Sequence, residues 1–304
     1  MGQRENAQDS QNKIQLIKML VLCTLISAVC GTTGCAKTYK TSKEKEPTKR
    51  IHTECTYQFQ DVEGNPYTAT LMETVPKHEY KYENLEEKDG YFYYKAESGE
   101  VISKLGVDVS RYQTEIDWEC VKSSGIDFAM IRLGFRGYGE EGNIVLDPQY
   151  DQHIKAALEA GLQVGVYFFS QAISEEEALE EAQFVLEHIQ GYDVTYPIVY
   201  DTEEIKDNIA RTDQLGKTEI TNHCIAFCDK IKMAGYNPMI YANMKWLAFT
   251  LELDRLVLYD KWYADYQKIP QCPYEFQLWQ YTETGTVPGI EGNVDINIEL
   301  QTKE

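Results

Sequence analysis

The chain has 304 residues, 43% of them hydrophobic, enough to bury a sizeable core and too many for a disordered protein. Its formal charge is -20, and residues 101–304 carry most of it, with 16 Lys/Arg against 34 Asp/Glu. So acidic a body repels phosphate backbones and argues against nucleic acid as a partner.

Arg4, Lys13 and Lys18 precede an apolar run from Met19 to Val29. A helix of that length rises about 16 Å, short of a bilayer core of roughly 30 Å. Residues 1–35 therefore read as an export signal rather than a stable span. The run ends in Thr32-Thr33-Gly34-Cys35, which resembles a bacterial lipoprotein cleavage box, with Thr32 where leucine is usual. Lipidation of Cys35, plain cleavage nearby and an uncleaved anchor are the three readings. Each implies an exported protein, either held at the membrane or secreted. Residues 36–52 are rich in Lys, Thr and Glu and almost devoid of apolar side chains, so a solvated tether is expected.

Residues 53–100 hold short strand-like runs, Thr56–Gln60 and Tyr91–Tyr94, with Gly64, Pro66, Pro76 and Gly90 between them. They predict a small β-rich region, either a separate subdomain or a collar on the larger body C-terminal to it. Cys55, Cys120, Cys224, Cys228 and Cys272 show no zinc-type spacing and read as small buried apolar residues. No metal and no cofactor are expected.

From Lys104 onward apolar strands alternate with amphipathic helices. The expected strands are 105–109, 128–133, 164–169, 197–201, 238–241, 261–264, 276–281 and 294–296. Helices are expected over 148–160, 175–189, with Ser174 as its cap, and 217–234. The later gaps are too short for full helices. Residues 101–304 thus predict an irregular, TIM-like (β/α) barrel with helices mainly in its first half. A doubly wound open sheet is the alternative, but no Gly-rich phosphate loop follows the first strand.

Active sites of such barrels lie at the C-terminal ends of the strands. Asp108 ends the first strand, and Asp201 and Glu203 end the fourth. Side chains two apart on a strand share a face, roughly 7 Å apart along the chain. Two carboxyls that close hold a proton more tightly than either alone, which suits glycoside cleavage. Helix caps or solvated acids would show the same spacing.

Several motifs then occur in order: Gly106-Val107-Asp108-Val109-Ser110-Arg111-Tyr112-Gln113, Ile116-Asp117-Trp118, Phe128–Arg132, Gly161–Phe168, Tyr200-Asp201-Thr202-Glu203, Trp262–Tyr266, Leu278–Tyr281 and Gly289–Asn297. Together they resemble the family 25 glycoside hydrolases, the Chalaropsis-type lysozymes, over about residues 105–300. Thr202 replaces the family's usual valine. The resemblance implies an N-acetylmuramidase acting on peptidoglycan, with Glu203 as proton donor, Asp201 as its companion and Asp108 as a further site acid. It also implies substrate contacts by Asp295 and Asp265. Tyr167, Phe169, Tyr241, Tyr263, Tyr266 and Trp279 are candidates for a sugar-stacking floor, with barrel core as their other reading. Arg132 would hold a carboxylate or form a structural ion pair. Two rivals remain: a non-catalytic wall-binding module, which would lack an acid, and a barrel hydrolase for another bond.

Overall fold

The computed structural model describes residues 55–206 and 208–300. The expected export signal, Cys35 and the tether lie outside the described residues. Among the described residues, no helix is long and apolar enough to cross a membrane.

Two hairpins come first. Strands β1 (Thr56–Gln60) and β2 (Pro66–Thr70) pair antiparallel, as do β3 (Leu85–Lys88) and β4 (Tyr91–Tyr94). Neither hairpin has enough surface to bury its aromatic face alone. Phe59 packs on Phe249 at 6.0 Å, and Gln271 exchanges hydrogen bonds with the backbone of Gln60 at 2.8 and 3.0 Å. Phe92 packs on Trp279 and Tyr281 at 5.2 and 5.0 Å, and Tyr80 donates to the carbonyl of Phe276. The β-rich region is therefore a collar fastened to the barrel.

Eight strands close that barrel: β5 (Lys104–Val109), β6 (Phe128–Arg136), β8 (Gln163–Phe169), β9 (Val194–Asp201), β10 (Pro238–Asn243), β11 (Asp260–Ala264), β12 (Leu278–Gly285) and β13 (Val294–Glu299). The β5–β6 pairing seals it, and β7 (Ile144–Leu146) adds an antiparallel edge to β6. All neighbours are parallel except β13, which runs antiparallel to both β12 and β5. The connection 286–293 is too short for a crossover helix, which forces that reversal.

Helices α1 (Trp118–Ser123), α2 (Tyr150–Glu159), α3 (Glu175–His188), α4 (Lys217–Met233) and α5 (Met244–Phe249) pack outside. Ser174 caps α3 by accepting from the Glu177 amide at 3.3 Å, as its sequence predicts. The side chain of Glu219 reaches back to the Gly216 amide at 2.7 Å and fixes the start of α4. Cys224 and Cys228 lie fully buried on the inner face of α4.

The barrel interior changes character along its axis. At the floor Phe128 stacks on Tyr196 at 4.6 Å, and a Cβ on Gly106 would fall 2.2 Å from the Phe128 ring. Met130, Val199, Met239 and Leu278 also belong to this interior cluster. Polar side chains crowd the strand ends above it.

Candidate active site

At that rim the strands deliver five carboxyls to one cleft of about 710 Å3: Asp108, Asp201, Glu203, Glu283 and Asp295. Asp108 comes from the end of β5 and Asp201 from the last position of β9. Asp295 sits near the start of β13, and because β13 is reversed its start reaches the same rim, directly opposite Asp108. Glu203 lies just beyond β9 and is the more exposed of its pair, whereas Asp201 is 5% exposed.

Burial pushes the carboxyls of Asp201 and Glu203 upward, and Asp201 further because the charges of Glu203 and Asp108 face it. The two are in hydrogen-bond contact and keep one proton between them. Oδ1 of Asp201 is buried without a hydrogen-bond partner. Asp108 and Asp295 form a second such pair. Burial, then the Asp108 charge and a hydrogen bond to it, raises Asp295 to about 9. Asp108 is also raised by burial, but amide donors from Asn297 at 2.8 Å and Gln280 at 2.9 Å oppose this. The proton of this pair therefore rests on Asp295 and the charge on Asp108.

Tyr167, Phe169, Tyr241 and Tyr266 line the cleft, and Trp262 stands between Tyr167 and Tyr241 with edge-on contacts of 5.8 and 5.0 Å. Trp279, Tyr263 and Asp265 do not line it. Tyr263 and Trp279 are cross-strand partners on the outward side of β11 and β12, beneath the collar. Trp279 donates from Nε1 to the carbonyl of Asp265 at 2.7 Å. Asp265 accepts from the Tyr263 hydroxyl and from the amides of Gln267 and Gln271, so it holds the β11–β12 loop in place. Strand alternation is the signal that separates Trp262 from Trp279: neighbours in sequence on one strand face opposite ways. Trp262, Gln280, Asn297, Tyr112 and Glu283 do not stand out as site residues in the sequence, although all but Glu283 fall inside the family-like motifs. Arg132 forms an ion pair with the buried Asp147 at 2.7 Å and packs against the Tyr112 ring, with one edge in the cleft.

Two carboxyl pairs and an aromatic wall thus meet at one barrel rim, an arrangement whose chemistry suits acid catalysis on a sugar chain. Residues 107–290 match the model of the glycosyl hydrolases family 25. The chain belongs to that family. Family 25 membership makes it a glycosidase, with its acids on the rim of the (β/α) barrel. It is 29% identical to the uncharacterized protein YegX of Escherichia coli over 208 residues, 66% of this chain and 70% of YegX. It is 24% identical to lysozyme M1 of Streptomyces globisporus, over 63% of this chain and 66% of that protein. The fold is similar to that of the modular autolysin LytC of Streptococcus pneumoniae, solved with a synthetic peptidoglycan ligand. There the TM-score is 0.57 with 24% identity, over 79% of this chain and only 56% of LytC.

Proposed function

We propose that the protein is an N-acetylmuramidase that hydrolyses the β-1,4 bond between N-acetylmuramic acid and N-acetylglucosamine in peptidoglycan. The observation that carries this is the Asp201–Glu203 pair, two carboxyls sharing a proton in a cleft walled by Tyr167, Tyr241 and Trp262. Family 25 membership and the similarity to lysozyme M1 support the substrate.

In the free protein the pair's proton rests on Asp201, the carboxyl pushed up further; substrate seating passes it to Glu203, the outer carboxyl, which protonates the leaving oxygen as the glycosidic bond breaks. Asp201 and Glu203 stand two residues apart at the end of β9, side by side on one wall of the cleft rather than across it. That favours attack on the sugar carbon by the substrate's own acetamido oxygen over attack by the partner carboxylate. Asp201, whose side chain lines the cleft, then accepts the acetamido N–H. Water, deprotonated by the Glu203 carboxylate, opens the cyclic intermediate and restores the acid. Asp108 supplies a fixed negative charge to the developing cation.

Digesting purified cell wall tests the reading. The native protein is expected to release new reducing ends and Glu203→Gln almost none. Release of amino groups instead, or equal activity in both, would sink it. A wall-binding module on this fold would bind wall and release nothing. We place the enzyme outside the cytoplasm, exported by residues 1–35 and attached to the membrane through Cys35. Loss of the membrane-bound fraction in Cys35→Ser cells checks the attachment.

A further inference from the structure

A second depression of about 780 Å3 adjoins the acid cleft on the same rim, and the collar builds one of its walls. That wall is the β3–β4 turn with Asp89, Gly90 and Tyr91; the other is formed by Tyr266, Thr282 and Thr284 at the ends of β11 and β12. Tyr266 lines both depressions, and its hydroxyl reaches Gln280 inside the cleft at 3.1 Å. A single ring therefore partitions them.

The collar wall is held firmly. Asp89 and Gly90 both take positive φ, 54° and 85°, the conformation of a tight two-residue hairpin turn. Phe92 pins the hairpin on Trp279 and Tyr281, and Glu87 pairs at 3.5 Å with Lys268 from the opposite wall. The family match begins at residue 107, so this wall lies outside it.

We infer that this depression is a distal glycan subsite, holding sugars of the same strand whose scissile bond lies in the acid cleft. The inference rests on the muramidase reading. A linear polymer that fills the cleft must leave it across the rim, and the Tyr266 partition opens onto a depression slightly larger than the cleft itself. Its lining suits sugars: threonine hydroxyls and the Gln267 amide for hydroxyl groups, and the half-buried ring of Tyr91 for a pyranose face.

Calorimetric titration of Glu203→Gln with peptide-free glycan strands of increasing length tests it. Affinity is expected to climb with length beyond what the cleft alone can cover. In the same background Tyr91→Ala, and separately Thr284→Trp, which fills the depression from an exposed position, are expected to remove that climb, a loss of roughly tenfold on long strands. Thermal melts identify any variant that fails to fold. If both folded variants keep the parental length dependence, the subsite is overturned and the muramidase reading stands. If the loss appears only on strands that carry stem peptides, the occupant is peptide and the glycan assignment falls. If no strand of any length binds the parent, the muramidase reading falls and this inference with it.

Discussion

Asn297 accepts the indole N–H of Trp262 on its Oδ1 at 2.7 Å and donates from Nδ2 to Asp108 at 2.8 Å. An indole nitrogen can only donate, so Trp262 decides which way the amide faces. Gln280 is fixed in the same manner: Tyr241 and Tyr266 donate to its Oε1 at 2.9 and 3.1 Å, and its Nε2 faces Asp108. Both amides thus offer N–H to Asp108 and favour its charged form. Asn297→Leu removes one donor to a charged group, which is worth about 1.5–3 kcal/mol. We expect kcat/KM to fall roughly ten- to hundredfold. Because the Asp108 carboxyl then ionises less readily, the acidic limb of the pH profile should move to higher pH. An unmoved limb in a folded variant would show that the Asp108 charge is not needed.

Glu203→Gln keeps shape and loses the proton, so kcat should fall roughly 10²- to 10⁴-fold, the usual contribution of a general acid. Its melting temperature should hold or rise, since a buried carboxyl held above its ordinary range is replaced by a neutral amide. Attack by the substrate's acetamido oxygen carries a second expectation. Glycan whose muramic acid lacks the N-acetyl group should be cut at least roughly 10³-fold more slowly, since the internal nucleophile is gone. Equal cleavage of the two glycans would return the nucleophile's role to Asp201.

The strands and acids of this molecule are legible where local chemistry decides them. Asp108, Asp201 and Glu203 follow apolar runs that can only be buried strands, and Ser174 and Gly191 bracket α3 as caps should. Less legible is anything set by partners distant in sequence. The reversal of β13 depends on how short the 286–293 connection is relative to a crossover, and it is what brings Asp295 opposite Asp108. Trp279 reads as a substrate contact because aromatic content says nothing about which side of a strand faces in. Its outward side is revealed by the register with Tyr263 and by Phe92, a residue of the collar. β7 and the short helices α1 and α5 escape a reading of the sequence, being too brief to establish a period.

Asp295 also marks the stability. Its folded carboxyl titrates at about 9 against an ordinary 3.8, so between these values the folded state holds a proton that the unfolded chain releases. Stability from this group is complete at low pH and is lost as pH rises through that window. Between pH 7 and 8 the buried histidines His78, His153 and His223, all pushed downward, are largely neutral in both states. Lys261, lowered to about 8, opposes the trend only in part, being half deprotonated in the folded state at the upper end of that range. Each such retained proton is worth at most about 1.4 kcal/mol per pH unit, less here because Asp295 keeps some solvent. The native protein should therefore melt lower at pH 8 than at pH 7, by up to roughly 2–4 °C for this group. Asp295→Asn should flatten that fall. An unchanged slope would mean that Asp295 is ionised in the folded state.

Trp262 and Trp279 are both fully buried but should fail differently when changed. Trp262→Phe removes the donor that orients Asn297, so the amide can turn its oxygen toward Asp108; kcat/KM should drop roughly tenfold or more, with the acidic limb shifted as in Asn297→Leu. Trp279→Phe loses only a bond to the Asp265 carbonyl, outside the cleft, and should lower the melting temperature while kcat/KM stays within about threefold. Kinetics paired with thermal melts separate the two. A larger kinetic loss in Trp279→Phe than in Trp262→Phe would contradict the assignment of inward and outward faces.

Removing the collar should cost the fold itself. Without residues 55–100, Trp279, Tyr281, Phe276 and Tyr274 lose the aromatic cover of Phe92, Tyr80 and Tyr57. Buried aromatic side chains of this size are worth about 1.5–3 kcal/mol each when covered, and a typical domain has only about 5–15 kcal/mol in reserve. A barrel beginning at residue 101 is therefore expected to aggregate, or to lose its sharp melting transition, rather than fold as an independent enzyme. The milder Phe92→Ala should melt several degrees lower and loosen the β3–β4 hairpin first. Hydrogen exchange would show this as faster exchange in residues 85–94 than in β9 or β10. A truncated barrel that melts as cooperatively as the native chain would show that the collar is only an attachment.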